Sequence, residues 1–416
     1  MEKTTLRFAI VGHVDHGKST LIGRLLYDTD SLPKGKIEEI EAVCRQLGRE
    51  LEFGFILDHL QEEREQGVTI DTTQTFLRTG TRDYVIIDAP GHREFVKNMI
   101  TGASQAEAAV LIVDVNEGIG EQTKRHAYIL NMLALKQVIV VMNKMDVVGY
   151  EQNGFEEVKK DLLEFLGQIR ISPAYVIPIS AKEGDNVANR SDKADWYEGP
   201  TLLEALESFK AMQSLNDKPF RFPVQDVYRF DDRRIIAGRI ESGVVETGDE
   251  VMVLPSGEKT KVKSVEVYPR KREKAESAES IGLILQDQLF VDRGDVIVKP
   301  HEKPRLLDKI PGHVFWMDAK PFGKNERVVF RCSTQERRCG IERITRVLDS
   351  STLEVLRTEA EGMENREVAD VSISLESPAV IEDFNDIPAL GRFVLERDKR
   401  VCAAGVVTGL EVRGEK

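Results

Sequence analysis

The sequence predicts a mostly parallel α/β sheet with helices on both faces, followed by two all-β barrels. Three observations carry that expectation. The first half alternates apolar strand-like runs with segments of helical period. After Asn216 the texture switches to short alternating runs separated by Gly, Pro and Asp. Within that second half, Pro300, Pro304 and Pro311 crowd one stretch. At 416 residues the chain is too long for one ordinary core.

In the first region the expected strands are 6–11, 84–88, 108–113, 138–142 and 175–179. They are nearly continuous in apolar residues, which suits a sheet buried on both faces. Between them, 18–28, 94–104, 122–135, 155–166 and 201–210 have helical period. Parallel strands require crossovers of this length. Two irregular insertions, 29–71 and 182–200, interrupt the alternation. Farther on, strands are expected at 235–240, 250–254, 260–267, 281–285, 314–317, 327–332 and 371–375. Their spacing is that of antiparallel barrels or sandwiches. With 298–311 as a boundary, the expected domains are 1–212, 217–300 and 304–416.

Composition narrows the class. The chain is 41% hydrophobic and 31% charged, as folded proteins are. No apolar run approaches the length of a membrane span. Residues 1–5 lead straight into an apolar run, which leaves no room for a secretory signal, so a cytoplasmic protein is expected. Cys44, Cys332, Cys339 and Cys402 form no Cys-x-x-Cys pair and are expected as reduced, buried thiols. A net charge of −13 repels phosphate backbones, so indiscriminate nucleic-acid binding, to DNA above all, is not expected. Two local basic clusters, Arg229 with Arg233 and Arg234, and residues 270–274, are expected as solvated barrel rim.

The chemistry lies in four motifs, each at the end of an expected strand. Gly12-His13-Val14-Asp15-His16-Gly17-Lys18-Ser19, with Thr20 after it, is Gly-x-x-x-x-Gly-Lys-Ser between a strand and a helix. This is a P-loop. Its glycines let backbone N–H groups turn inward around phosphate oxygens, and the helix N-terminus adds partial positive charge. Lys18 is placed for the outer phosphates and Ser19 for Mg²⁺. Asp88-Ala89-Pro90-Gly91 puts a carboxylate at the next strand end to hold Mg²⁺, and Gly91 near the terminal phosphate. Thr69, in the first insertion, completes the metal set while a terminal phosphate is present, which makes that insertion a switch.

Asn143-Lys144-Met145-Asp146 follows the strand 138–142. Asp146 can accept from the guanine N1–H and exocyclic amine, whereas adenine would leave it unpaired at a cost of about 1–3 kcal/mol. Ser180-Ala181-Lys182 supplies a backbone N–H for the guanine O6. The expected ligands are therefore GTP or GDP with Mg²⁺. His92, directly after Gly91, is the candidate for orienting the attacking water, and Val14 with Val68 for an apolar gate. His13, His16 and His126 carry no comparable chemical argument, although the first two lie inside the P-loop.

Residues 12–20, 62–71, 88–104 and 143–146 closely resemble the translational GTPase superfamily. Within it the chain resembles both elongation factor 1-alpha and the GTPase subunit of bacterial sulfate adenylyltransferase. The resemblance implies a GTPase domain followed by two β-barrels. The segments 31–37, 184–187, 196–204, 220–225, 253–257 and 315–317 are similar to the sulfate enzyme. His13, His16, Ala89 and residues 93–100 look more like the elongation factor. The first likeness implies a heterodimer: this chain hydrolyses GTP, and a small catalytic subunit that binds ATP and sulfate forms adenylyl sulfate. In keeping with that division of labour, the sequence shows no second P-loop and no Ser-Gly-Gly pyrophosphate loop. The alternative is a translation factor that delivers aminoacyl-tRNA.

Overall fold

A computed structural model describes residues 5–13, 15–32, 35, 37–39, 53, 74–88, 106–133, 135–210, 214–230, 233–267, 270–323 and 325–410. Two compact units emerge, Met1–Met212 and Gln213–Lys416.

In the first unit the strands are β1 (Thr5–Gly12), β2 (Gln74–Arg78), β3 (Asp83–Asp88), β4 (Ala108–Asp114), β5 (Val138–Asn143) and β6 (Tyr175–Pro178). The described helices are α1 (Lys18–Asp28), α2 (Glu121–Met132), α3 (Gln152–Gln168) and α4 (Leu202–Glu207). The sheet order is β2-β3-β1-β4-β5-β6. β1, β3, β4, β5 and β6 run parallel, and β2 pairs antiparallel with β3 at the edge.

Alternation along the strands explains why both faces need cover. Leu6, Phe8 and Ile10 of β1, with Val110, Ile112 and Val141, join Leu21, Leu25, Leu202 and Leu206 in one core. The intervening Ala109, Leu111, Val113, Val140 and Met142 are equally buried and point the other way. α4 starts on a capping box. Thr201 Oγ1 accepts from Glu204 N at 3.2 Å, and the Glu204 carboxylate accepts from Thr201 N at 2.8 Å.

The second unit is all-β apart from short helical turns. One seven-stranded sheet runs from Glu250–Leu254 through Val296–Val298, Arg221–Phe230, Arg233–Arg239, Ser280–Leu285 and Glu258–Val267 to Arg270–Arg272. Glu250–Leu254 also pairs with Glu258–Val267, which closes the barrel. A second closes in the same way through Arg327–Cys332 and Gln335–Asp349. The barrels share a small apolar cluster of Met252, Leu254, Val296 and Val298 with Val380, Ile387 and Leu390. Arg221, almost fully buried, pairs with Glu382 at 2.7 Å across the same junction.

Two expectations change. The edge strand β2 was not foreseen; its exposed positions dilute the apolar signal. The expected boundary 298–311 is too long, because Pro311 lies inside the strand Arg305–Trp316. Pro311 is opposite Ser372 on one side, while pairing with Arg400–Val406 on the other begins only at His313. A residue without an N–H is tolerated where the ladder is one-sided. The expected helix 94–104 falls outside the described residues.

Candidate nucleotide-binding site

The chain leaves β1 towards β3 on one side, and β4 leads to β5 on the other. The carboxyl ends of β1 and β4 therefore flank a topological switch point, where open α/β sheets place their ligands. Gly12, Asp88, Asp114 and Asn143 end β1, β3, β4 and β5 respectively.

The P-loop turns sharply between β1 and α1. Asp15 and Gly17 adopt positive φ, 66° and 91°. A Cβ on Gly17 would sit 2.4 Å from Asn143 Nδ2, and one on Gly12 would sit 2.5 Å from Ile112. Close approach thus requires both glycines, and at Gly17 the positive φ does so as well. No side chain caps α1, so its first N–H groups face the loop. Lys18 Nζ donates to the carbonyls of Gly12 at 2.8 Å and His13 at 2.7 Å. Burial lowers the Lys18 pKa, and the Asp88 and Asp15 carboxylates oppose that shift. A partly desolvated ammonium beside carbonyl oxygens is ready for a stronger anionic partner.

Asp88 shows the complementary need. Burial raises its pKa, and Lys18 pulls it back. Among the described residues, its buried Oδ1 finds no hydrogen-bond donor. A buried acceptor without a donor is what a cation satisfies, so the residues fit Mg²⁺, with Ser19 in the first turn of α1. Val14, Val68, Thr69, Gly91 and His92 lie outside the described residues. Thr20, like Ser19, occupies the first turn of α1.

On the base side, Asn143 ties the motifs together. Its Nδ2 donates to the His16 carbonyl at 2.8 Å, and its Oδ1 accepts from Ala181 N at 2.8 Å. Asp146 Oδ1 accepts from Ser180 Oγ at 2.6 Å. Ser180 Oγ in turn accepts from Glu183 N at 3.2 Å. Lys144, at φ 68°, swings back to pair with buried Asp114 at 2.6 Å. Lys182 is exposed, with Glu183 3.9 Å away. The structure thus brings Gly12, Gly17, Lys18, Asn143, Lys144, Asp146, Ser180 and Ala181 into one continuous constellation.

The histidines divide. The His16 imidazole is buried, with Nδ1 3.3 Å from the Ile112 carbonyl and Nε2 3.2 Å from Glu117. Burial lowers its pKa. His16 therefore enters the site through its backbone. Its ring meets that of His13 edge to face, with centroids 5.1 Å apart. His126, on α2, is buried with an unbonded Nδ1 and a pKa lowered to about 3 by burial, helped by the positive charge of Lys18. Asp114, Tyr150 and Asp185 were missed by sequence reasoning. Asp114 offered a signal, a carboxylate one residue past an apolar strand.

The other expectations resolve in the second unit. Cys332, Cys339 and Cys402 are free and buried, with burial pushing each thiol up to about 12; Cys44 lies outside the described residues. Arg234 donates to the carbonyls of Leu289 at 2.5 Å and Val291 at 3.1 Å. Arg272 pairs with Glu279, and Lys274 with Glu276. Among the described residues, no helix is long and apolar enough to cross a membrane.

Three family profiles match the chain. They are the elongation factor Tu GTP-binding domain over residues 3–212, elongation factor Tu domain 2 over 233–298, and the GTP-eEF1A C-terminal domain-like family over 309–408. The elongation factor 1-alpha of Methanopyrus kandleri is 40% identical, covering 99% of this chain and 99% of that protein. Sulfate adenylyltransferase subunit 1 of Alteromonas mediterranea is 36% identical, covering 95% of this chain and 84% of its own length. The bifunctional enzyme NodQ of Rhizobium meliloti is 36% identical over 98% of this chain and 64% of that protein.

Proposed function

This chain belongs to the elongation factor Tu-type family of GTPases, which bind GTP and GDP with Mg²⁺, and from that premise we propose that it is the GTPase subunit of a sulfate adenylyltransferase. Domain 1–212 would carry the nucleotide, and barrels 217–300 and 304–416 would complete the switch. Lys18 and the P-loop N–H groups hold the phosphates. Ser19, Asp88 and Thr69 would hold Mg²⁺, which would supply electrostatic stabilisation of phosphate charge. Asp146, Ser180 and Ala181 read guanine, and His92 orients the attacking water. The hydrolysis would drive adenylyl sulfate formation from ATP and sulfate on a separate small subunit, in the cytoplasm.

The observation that carries this reading is likeness to a sulfate adenylyltransferase subunit over nearly the whole chain, in a protein of net charge −13. Such a charge opposes a polyanionic RNA cargo. In the first barrel, Arg234 donates to the carbonyls of Leu289 and Val291, and Arg272 and Lys274 are paired with Glu279 and Glu276, which offsets part of the local positive charge. The second reading is a translation factor delivering aminoacyl-tRNA. The His13 and His16 pattern and the elongation factor relatives favour it.

Purified chain, alone and with the small subunit encoded in its own genome, separates the two. Sulfate and ATP should stimulate GTP turnover, and adenylyl sulfate should form only with both subunits. Stimulation by charged tRNA, with no adenylyl sulfate from the pair, would replace the proposal with the second reading.

A further inference from the structure

Asp146 reads guanine only if both carboxylate oxygens hold their direction. One of them is fixed by Ser180 Oγ at 2.6 Å. What fixes Ser180 lies outside the four motifs. Ser180 opens a short turn that closes on Asp185: Ser180 N donates to the Asp185 carbonyl at 3.2 Å, and Gly184 N to the Ser180 carbonyl at 2.7 Å. The Asp185 carboxylate accepts from the Tyr150 hydroxyl, from Ser191 Oγ at 2.9 Å and from Lys193 Nζ at 3.2 Å.

Tyr150 belongs to the turn that carries Asp146. Its N–H donates to the Met145 carbonyl at 2.9 Å, and its φ is 59°, strained for a side chain of this size. Trp196 Nε1 donates to the Tyr150 carbonyl at 2.8 Å, and the Trp196 ring lies against Phe155 with centroids 5.1 Å apart. The result is a closed circuit: Asp146, its turn, Tyr150, Asp185, the second turn, Ser180, and back to Asp146.

We propose that Tyr150 and Asp185 are positioning residues for base selection, aiming Asp146 through Ser180 at the edge that distinguishes guanine from hypoxanthine. This inference rests on the assignment of Asp146 as the base-reading carboxylate. The protonation states suit the roles. Burial, then the Asp185 carboxylate, raises the Tyr150 pKa, so the phenol stays a donor. Burial works against Asp185, but the bonds from Tyr150, Ser191 and Lys193 keep its pKa below the usual carboxylate range, so it stays an acceptor. A preorganised carboxylate does not spend binding energy on being aimed. If it is loosened, selectivity for the exocyclic amine falls.

The experiment compares equilibrium affinities for GTP and ITP, which lacks that amine, in wild type, Tyr150→Phe, Asp185→Ala and Asp185→Asn. The GTP-to-ITP preference should fall about three- to tenfold in Tyr150→Phe and Asp185→Ala, the scale of one ordinary net hydrogen bond. Asp185→Asn keeps an acceptor oxygen for Tyr150 and should retain part of the preference. Parallel weakening of both nucleotides, with the ratio unchanged, would assign the pair a merely structural role and overturn the proposal. A wild type without preference for GTP over ITP and XTP would instead remove the base-reading assignment itself. Thermal unfolding of each nucleotide-free variant identifies those that fold, and if Tyr150→Phe does not, the two Asp185 variants decide.

Discussion

The Asn143 carboxamide donates to the carbonyl of His16 at 2.8 Å, which joins the Asn143–Asp146 turn directly to the P-loop. The same side chain accepts from Ala181 N, so one buried amide holds three motifs from three strand ends. Asn143→Ala should therefore destabilise the first unit by about 2–4 kcal/mol, because two hydrogen bonds vanish and a buried N–H is orphaned. Denaturant unfolding measures the loss, and stopped-flow GDP release should accelerate in parallel. Unchanged release would mean that the P-loop holds its shape without the clamp.

Gly17→Ala tests the loop itself. Its Cβ would meet Asn143 Nδ2 at 2.4 Å, at a φ of 91°. Either the loop or Asn143 must move. Nucleotide affinity should fall at least about a hundredfold, while positive φ at a non-glycine adds about 1–3 kcal/mol of strain. Calorimetric titration with GDP and Mg²⁺ measures the effect.

Asp146→Asn replaces an acceptor pair with an acceptor and a donor. The Ser180 hydroxyl can still donate to the remaining oxygen. GTP affinity should drop and preference should move towards xanthine nucleotides. Unaltered GTP affinity in this variant would contradict the base-reading assignment.

His126 links stability to pH. Its folded pKa, about 3, lies below the unfolded value of 6.5 because burial and the charge of Lys18 disfavour the cation. The unfolded chain takes up the proton first. Stability is thus full above pH 6.5 and declines as pH falls from 6.5 towards 3, by about 1.4 kcal/mol per pH unit for this one group. His126→Gln should flatten the profile between pH 6.5 and pH 5.5, read by denaturant midpoints. An equally steep variant would assign the loss to other groups.

His92→Ala rests on sequence position alone. GTP binding should persist and hydrolysis should fall by two orders of magnitude or more, about the scale of a lost water-positioning group. Unchanged single-turnover hydrolysis with the partner present would remove His92 from the mechanism.

The α/β half was legible because fully buried parallel strands leave continuous apolar runs, as in β4 and β5, whose every residue is buried. Lys18–Asp28 was legible because Gly17 fixes its start. The barrels were legible as texture but not in register. The long strands Gln335–Asp349 and Glu367–Ile381 alternate buried with exposed residues and contain irregularities, which blur a simple period of two. In the site, Lys18, Asn143 and Asp146 follow from local spacing. The Tyr150–Asp185 bond does not, because neither residue sits in a motif and their meeting depends on how two turns fold against each other.

The proposed nucleotide site is guanine-specific and Mg²⁺-dependent, built from Lys18, Asp88, Asn143, Asp146 and Ser180. Competition against a fluorescent GDP, with Mg²⁺ and with a chelator, tests it most directly. GTP should displace the probe, ATP should fail to do so at a hundredfold higher concentration, and removal of Mg²⁺ should weaken GTP. Equal displacement by ATP would contradict the account of how this chain chooses its nucleotide.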